Sequence, residues 1–366
     1  MKIAQITYSG FGGLGSVVFS LIFADEGNNN DWIIGFLGNQ KLDQDYNKLC
    51  NELDLSYASF LSKPKNPFTA WVKLYKWLIS EKPDAIICHT LNPIIVCRIY
   101  AWIFNVPLIG VEHTSNSVKP RNEKITSFLS MIFADRIVVL TKQYFKELRN
   151  MHKIFFRSKK VVVIHNGIDL NLFKPSEEKK IQKEEFIIGM AARFTKTKKQ
   201  DFLINVLEFI HKTDPSINLK LSLAGNGSEF TRVKNLAQNS FVSSQVIFEG
   251  LIEEKEVASW MNKLDIYVHA TDGETLSTSI LQSMGCGVPI IGSDVSGVNN
   301  LIKPDSDLGY CVKNEESIFA NTILHLLQNP DELNRMGNNA RSYAEEHYSN
   351  NTMLSKYIDL IRSIIS

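Results

Sequence analysis

Three short stretches carry residue types that could hold and activate a charged ligand. The first is Ala192-Arg193-Phe194-Thr195-Lys196-Thr197-Lys198-Lys199, directly after the apolar run Phe186–Ala191. Arg193 and Lys198, five residues apart at the carboxyl end of a strand, can clamp a diphosphate, the Arg as a planar fork and the Lys as a point charge. Such a clamp neutralises leaving-group charge without a metal. A solvated basic loop reads from the same residues. The second stretch is Ala270-Thr271-Asp272-Gly273-Glu274-Thr275-Leu276-Ser277-Thr278, between a strand ending at His269 and a helical pattern starting near Ser277. Glu274 would point to the ligand end of the sheet, with the amides of Leu276, Ser277 and Thr278 available to phosphate oxygens. A helix-capping role for Glu274 is the competing account. The third is Gly10-Phe11-Gly12-Gly13-Leu14-Gly15-Ser16, where a strand turns into a helix. Gly12 and Gly13 would let the backbone approach an anion at the helix N-terminus; a tight turn without a ligand fits as well, and the spacing matches neither GxGxxG nor a P-loop.

The elements that position these residues alternate along the chain. Ile3–Thr7, Trp32–Leu37, Ala85–Cys88, Leu108–Val111, Arg136–Leu140 and Val161–Ile164 read as buried strands, separated by helical spacing such as Val17–Ala24, Thr69–Ile79 and Lys142–His152. The pattern restarts with Phe186–Ala191, Leu219–Ala224, Val246–Glu249, Ile266–His269 and Pro289–Ile291. Such alternation predicts an α/β chain with parallel, doubly wound sheets, whose ligands bind at the carboxyl ends of the strands. The charged stretch Ser176–Glu185 separates the two series. The reading is therefore two Rossmann-like lobes, residues 1–175 and 176–349, with a C-terminal helix, residues 350–366, returning to the first lobe.

At 366 residues the chain is long enough for two domains. Its five cysteines show no metal-ligand spacing and read as buried thiols in a reducing cytosol. Neither DxD sequence, Asp43-Gln44-Asp45 or Asp305-Ser306-Asp307, stands near the clamp, and no metal site is expected. The start lacks the apolar core of a signal peptide, and the apolar stretch near Ile99–Val111 is broken by Asn105 and Pro107. Residues 1–180 hold 23 Lys/Arg against 16 Asp/Glu, and the remainder 17 against 23. The first half therefore suits an anionic surface, although a split of this size also arises by chance. Basic residues interleaved with aromatics in a stripe are lacking, which argues against nucleic acid as a partner.

The ordered set Gly12-Gly13, His113, HNGIDLNLFKP (165–175), Arg193…Lys198, AGNGSEF (224–230), FEG (248–250) and ETLSTSILQSMGCGVPI (274–290) resembles the retaining glycosyltransferases of family 4, GT-B fold. The resemblance implies an interlobe cleft holding a nucleotide-sugar donor, a UDP-sugar, and a saccharide or lipid-linked saccharide acceptor approaching from the first lobe. It implies surface polysaccharide or lipopolysaccharide biosynthesis of bacterial type, with no cofactor beyond the nucleotide-sugar co-substrate. By the same resemblance Arg193 and Lys198 hold the diphosphate, Glu274 contacts the transferred sugar, and His113 lines the sugar pocket. Gly12, Gly13, Gly225, Leu276, Ser277, Thr278 and Gln282 fall at the donor nucleotide. Two positions depart from the family pattern. Gln282 stands where the second Glu of E-x7-E grips the ribose, which weakens that contact. Thr275 replaces the glycine that follows the first Glu. A sugar-nucleotide epimerase of the same fold, or a catalytically silent nucleotide-sugar-binding subunit, is the alternative.

Residues 63–79 form the remaining feature. On a helical wheel Phe68, Trp71, Val72, Tyr75, Leu78 and Ile79 share one face, leaving Trp77 exposed beside Lys73 and Lys76. A basic, aromatic helix of this kind can lie on an anionic membrane, placing the enzyme at the inner face of the cytoplasmic membrane. An ordinary lobe helix is the alternative.

Overall fold

The computed structural model describes residues 1–10, 13–27, 29–63, 66–114, 119–176, 185–302 and 307–365. The chain divides into two compact units, Met1–Gly167 with Asn350–Ser366, and Ile168–Ser349.

In the first unit the strands are β1 (Lys2–Thr7), β2 (Asp31–Gly38), β3 (Ser56–Leu61), β4 (Ala85–Cys88), β5 (Leu108–Glu112), β6 (Arg136–Val139) and β7 (Val161–Val163). Their helices are α1 (Gly13–Phe23), α2 (Gln44–Glu52), α3 (Phe68–Glu81), α4 (Ile94–Phe104), α5 (Arg121–Phe133) and α6 (Lys142–Met151). The strands form one parallel sheet in the order β3-β2-β1-β4-β5-β6-β7. The central strands are buried along almost their whole length, because helices cover both faces, and they are mostly apolar, with Gln5 of β1 and Glu112 of β5 among the buried polar exceptions. The edge strand β3 leaves most of its side chains at least partly exposed, so it lacks the apolar run that marks the other strands.

The second unit carries β8 (Phe186–Ala191), β9 (Leu219–Ala224), β10 (Val246–Gly250), β11 (Ile266–His269), β12 (Ile290–Ser293) and β13 (Gly309–Val312). Its helices are α7 (Gln200–Thr213), α8 (Phe230–Gln238), α9 (Glu254–Lys263), α10 (Thr278–Gly285), α11 (Glu316–Gln328) and α12 (Pro330–His347). The sheet is parallel in the order β10-β9-β8-β11-β12-β13. Separate apolar clusters cover it, one built on Ile188, Leu221, Val268 and Phe319 and the other on Tyr267, Ile280, Met284 and Ile290.

The boundary expected after residue 175 falls after Gly167 instead. Ile168 and Phe173 are buried in the second unit's core, so the chain is committed to that unit before the charged stretch begins. The last helix, α13 (Asn350–Ile365), belongs to the first unit and packs against α1. Gly167 faces Asn350 so closely that a Cβ would lie 2.7 Å from its Cα, which explains the glycine in the HNG turn.

The α3 face also differs from its helical wheel. Ala70, Leu74 and Leu78 are buried, Trp71, Tyr75 and Trp77 pack against the core, and Phe68, Val72 and Ile79 are the exposed apolar residues. Trp77 is not a solvent-facing residue: its ring lies edge-on to Phe60 at 5.8 Å and above Gly35, filling the space that glycine leaves on the sheet. No helix among the described residues is long and apolar enough to cross a membrane.

Candidate active site

Each sheet reverses its winding at one place, and polar residues gather there. In the second unit β9 lies on one side of β8 and β11 on the other. The loops leaving β8 and β11 therefore meet at the sheet's carboxyl edge, the switch point where open α/β sheets bind their ligands. They are stitched together: Lys198 and Thr271 form an antiparallel bridge, the Asp272 amide donates to the Thr197 carbonyl at 2.9 Å, and the Lys199 amide donates to the Ala270 carbonyl at 3.0 Å. Lys199 also pairs with Asp272 at 3.0 Å.

This stitching brings Lys198 to Glu274, and the two form an ion pair with side chains largely out of solvent. The same carboxylate accepts from Nε2 of His269, a fully buried residue at the end of β11. The other ring nitrogen of His269 lies 3.1 Å from the Tyr267 hydroxyl, itself 2.7 Å from the Ser279 hydroxyl at the start of α10. Burial drives the His269 imidazole well below its usual pKa, and the Lys198 charge adds to that, so it stays neutral. Burial also pulls the Lys198 ammonium down to about 8. Ser277, not Glu274, caps α10, its hydroxyl accepting from the Ile280 amide. The capping alternative for Glu274 is thereby replaced.

Gly297 makes this turn possible. It has φ +88, and a Cβ there would lie 2.2 Å from the Glu274 carbonyl oxygen, while the Glu274 amide donates to Ser296 at 3.1 Å. From the sequence His269 reads only as the end of a strand, and none of Tyr267, Ser279 and Gly297 is singled out. A titratable residue closing the apolar run Ile266–His269 was the available signal for His269.

The other residues singled out in this unit take varied positions. Arg193 is exposed in the same turn as Lys198, and among the described residues its guanidinium has no ion-pair partner. Gly225, with φ +126, packs on Ala192, where a Cβ would lie 2.1 Å from the carbonyl oxygen; it shapes the turn that carries Arg193. Leu276 packs against the core, Thr278 opens α10, and Gln282 is partly exposed one turn on, without a side-chain hydrogen bond among the described residues. Asp43 caps α2, accepting from the Asp45 amide. Of the second DxD, Asp305 and Ser306 lie outside the described residues, and Asp307 pairs with Arg335 at 2.7 Å. Among the described residues no group of three or more His, Cys, Asp and Glu is placed to hold a metal.

The first unit reverses between β1 and β4, and a cavity of about 720 Å³ opens at that edge, lined by Tyr8, Asn39, His89, His113 and Lys119 among others. His113 follows β5, and its Nε2 lies 3.1 Å from Nδ1 of His89. Nε2 of His89 lies 3.0 Å from Oε1 of Gln5, whose Nε2 donates to the Val18 carbonyl at 3.2 Å. The Gln5 amide thus sets the protons along the chain. His89 carries its proton on Nε2, His113 on Nε2, and Nδ1 of His113 is left as an acceptor. Burial, with the Lys119 charge behind it, lowers the His113 pKa to about 3. Beneath lies a second buried pair, Glu112 and Lys119, with the Ser127 and Tyr144 hydroxyls also donating to the carboxylate. Gly12 lies outside the described residues; Gly13 is the first residue of α1.

Comparison with known proteins agrees with this architecture. Residues 12–172 match the family model described as Glycosyltransferase Family 4, and residues 173–343 that described as Glycosyl transferases group 1. The N-acetyl-alpha-D-glucosaminyl L-malate synthase of Bacillus anthracis is 23% identical over 370 residues, covering 98% of this chain and 95% of that one. An Escherichia coli UDP-Gal:alpha-D-GlcNAc-diphosphoundecaprenol alpha-1,3-galactosyltransferase is 25% identical over 74% of this chain and 73% of its own. Among solved structures, Anabaena HepE in complex with UDP superposes with TM-score 0.82 at 20% identity, covering 99% of this chain and 100% of that one. With two such matches running end to end through the pair of Rossmann-like units, the chain belongs to the family-4, group 1 glycosyltransferases of the GT-B fold.

Proposed function

We propose that this glycosyltransferase moves a hexose from a UDP-sugar to a saccharide or lipid-linked saccharide acceptor, with retention at the anomeric carbon and without a metal. The observation that carries the reading is the Lys198–Glu274–His269 assembly at the switch point of the second unit, with Arg193 in the same turn. Arg193 and Lys198 supply positive charge for the donor diphosphate, and the α10 amides face the same edge. Glu274, held by His269, offers a carboxylate to the hydroxyls of the transferred sugar. In a front-face displacement the bond from the anomeric carbon to the phosphate oxygen breaks as the acceptor hydroxyl forms the new one. The departing phosphate oxygen takes the hydroxyl proton, and the two cations stabilise the charge that develops there. In the first unit, Nδ1 of His113 would accept a hydrogen bond from a sugar hydroxyl. The nucleotide is inferred from HepE, solved with UDP and with UDP-glucose, and from the UDP-Gal named for the E. coli relative. A role in surface polysaccharide or lipopolysaccharide assembly rests on one relative's name as an O-antigen biosynthesis glycosyltransferase and on the diphosphoundecaprenol-linked sugar in another's.

Incubating the protein with UDP-glucose, UDP-galactose and UDP-N-acetylglucosamine, with and without candidate acceptors, tests this. Acceptor-stimulated UDP release, with an α-linked product from an α-donor by NMR, is the expected result. Interconversion of the sugars would make the chain an epimerase, and tight UDP binding with no release a silent subunit.

A further inference from the structure

The first unit bears a second cavity, of about 650 Å³, at the opposite end of its sheet from the histidine pair. It lies where α5 ends and β6 and β7 begin, and Arg98, Arg136, Arg157, Lys159 and Lys160 all line it. Asp135 is the only carboxylate among the lining residues, and it is already engaged, pairing with Arg98 at 2.7 Å and accepting from the Leu108 amide at 2.8 Å. Arg157 and Lys159 are exposed and have no ion-pair partner among the described residues. The crowding is felt at Lys160: burial lowers its pKa, Asp135 opposes this, and Arg157, Arg98 and Arg136 lower it further. Five cations around one spent carboxylate leave an uncompensated positive site.

Its rim is apolar. Ile99, Trp102 and Ile132 line the cavity yet remain exposed, Trp102 by 77%. Nearby, Phe155 packs edge-on against Phe128, one turn of α5 before Ile132, and adjoins Ile154, which is 91% exposed. Aliphatic side chains and an indole around a cationic pocket match the boundary between head groups and acyl chains. A nucleic-acid backbone offers nothing to bury the isoleucines, and a second copy meeting the same face would set cation against cation. The whole unit supports the sign, with 22 Lys/Arg against 14 Asp/Glu.

We propose that this face of the first unit docks on an anionic phospholipid bilayer, a lipid phosphate seated among Arg136, Arg157, Lys159 and Lys160, with Ile99, Trp102 and Ile132 entering the interfacial layer. The site differs from the helix at residues 63–79, whose Trp77 is spent on the core.

The test is co-sedimentation of the full chain with vesicles of phosphatidylcholine mixed with phosphatidylglycerol, against phosphatidylcholine alone. Binding should require phosphatidylglycerol and weaken as salt is raised. Arg157→Glu with Lys159→Glu should lower partitioning on the order of tenfold or more. Trp102→Ser should lower it too, and since all three residues are exposed, the melting temperature should hold. Lys73→Glu with Lys76→Glu on α3 should bind as the parent does. No binding to the mixed vesicles would overturn the proposal. So would unchanged binding by the pocket variants, a loss confined to the α3 variants, or pocket-dependent binding of inorganic phosphate or an acidic protein without any of vesicles.

Discussion

Lys198 and Glu274 form an ion pair across the loops that leave β8 and β11. The cation proposed for the donor diphosphate is therefore already matched by the carboxylate proposed for the sugar. A bound donor would place the diphosphate beside Lys198 and hydroxyls beside Glu274, each partner keeping a share of the other.

This separates two variants that share a proposed role. Arg193→Ala and Lys198→Ala should each reduce turnover by about two to three orders of magnitude. Arg193 is exposed, so its loss should leave thermal stability unchanged. Removing Lys198 leaves Glu274 in a largely buried site with only His269, and the melting temperature should fall. Turnover assays paired with thermal unfolding check both; normal turnover in both variants would remove the clamp.

The pH dependence follows from Lys198, lowered to about 8 by burial. Its ammonium form, present below that pH, is the one that attracts a diphosphate; the amine above it does not. UDP affinity, measured by calorimetry, should decline as pH rises through about 8, and Lys198→Arg should move that decline to higher pH.

Gln282 sits one turn into α10 with no side-chain hydrogen bond among the described residues. If it meets the ribose, Gln282→Glu adds charge assistance to a neutral hydrogen bond, and UDP should bind about three- to tenfold more tightly. An unchanged dissociation constant would place the ribose elsewhere.

His113 should show no titration in the physiological range, since burial and Lys119 hold it down to about 3. Nitrogen-15 NMR of the imidazoles should find it neutral, protonated on Nε2, from pH 5 to pH 8. His89→Leu removes the acceptor for that proton and should release the tautomer, lowering turnover with little change in UDP affinity.

Glu112 is almost fully buried against Lys119, Ser127 and Tyr144. Glu112→Gln leaves the Lys119 ammonium without its countercharge and should cost about 3–5 kcal/mol of stability by chemical denaturation.

The architecture is legible in the amino-acid order, because a buried parallel strand is an apolar run and a covering helix has a regular apolar spacing; both are local patterns. The same order shows that Arg193, Lys198 and Glu274 follow strands at the ligand end of a sheet. Strand β3 escaped that reading because an edge strand buries little, and Trp77 was misplaced because its partners Phe60 and Gly35 lie on neighbouring strands. Which loops meet is not legible there. The strand order sets β8 beside β11, so Lys198, His269 and Glu274 form one network; it also sets β1 beside β4, and the Gln5 carbonyl, through His89, fixes the proton on His113. His269 and Glu274 are five residues apart, but Lys198 and Gln5 lie more than seventy residues from the histidines they meet, and strand order, a property of the whole chain, brings them within reach.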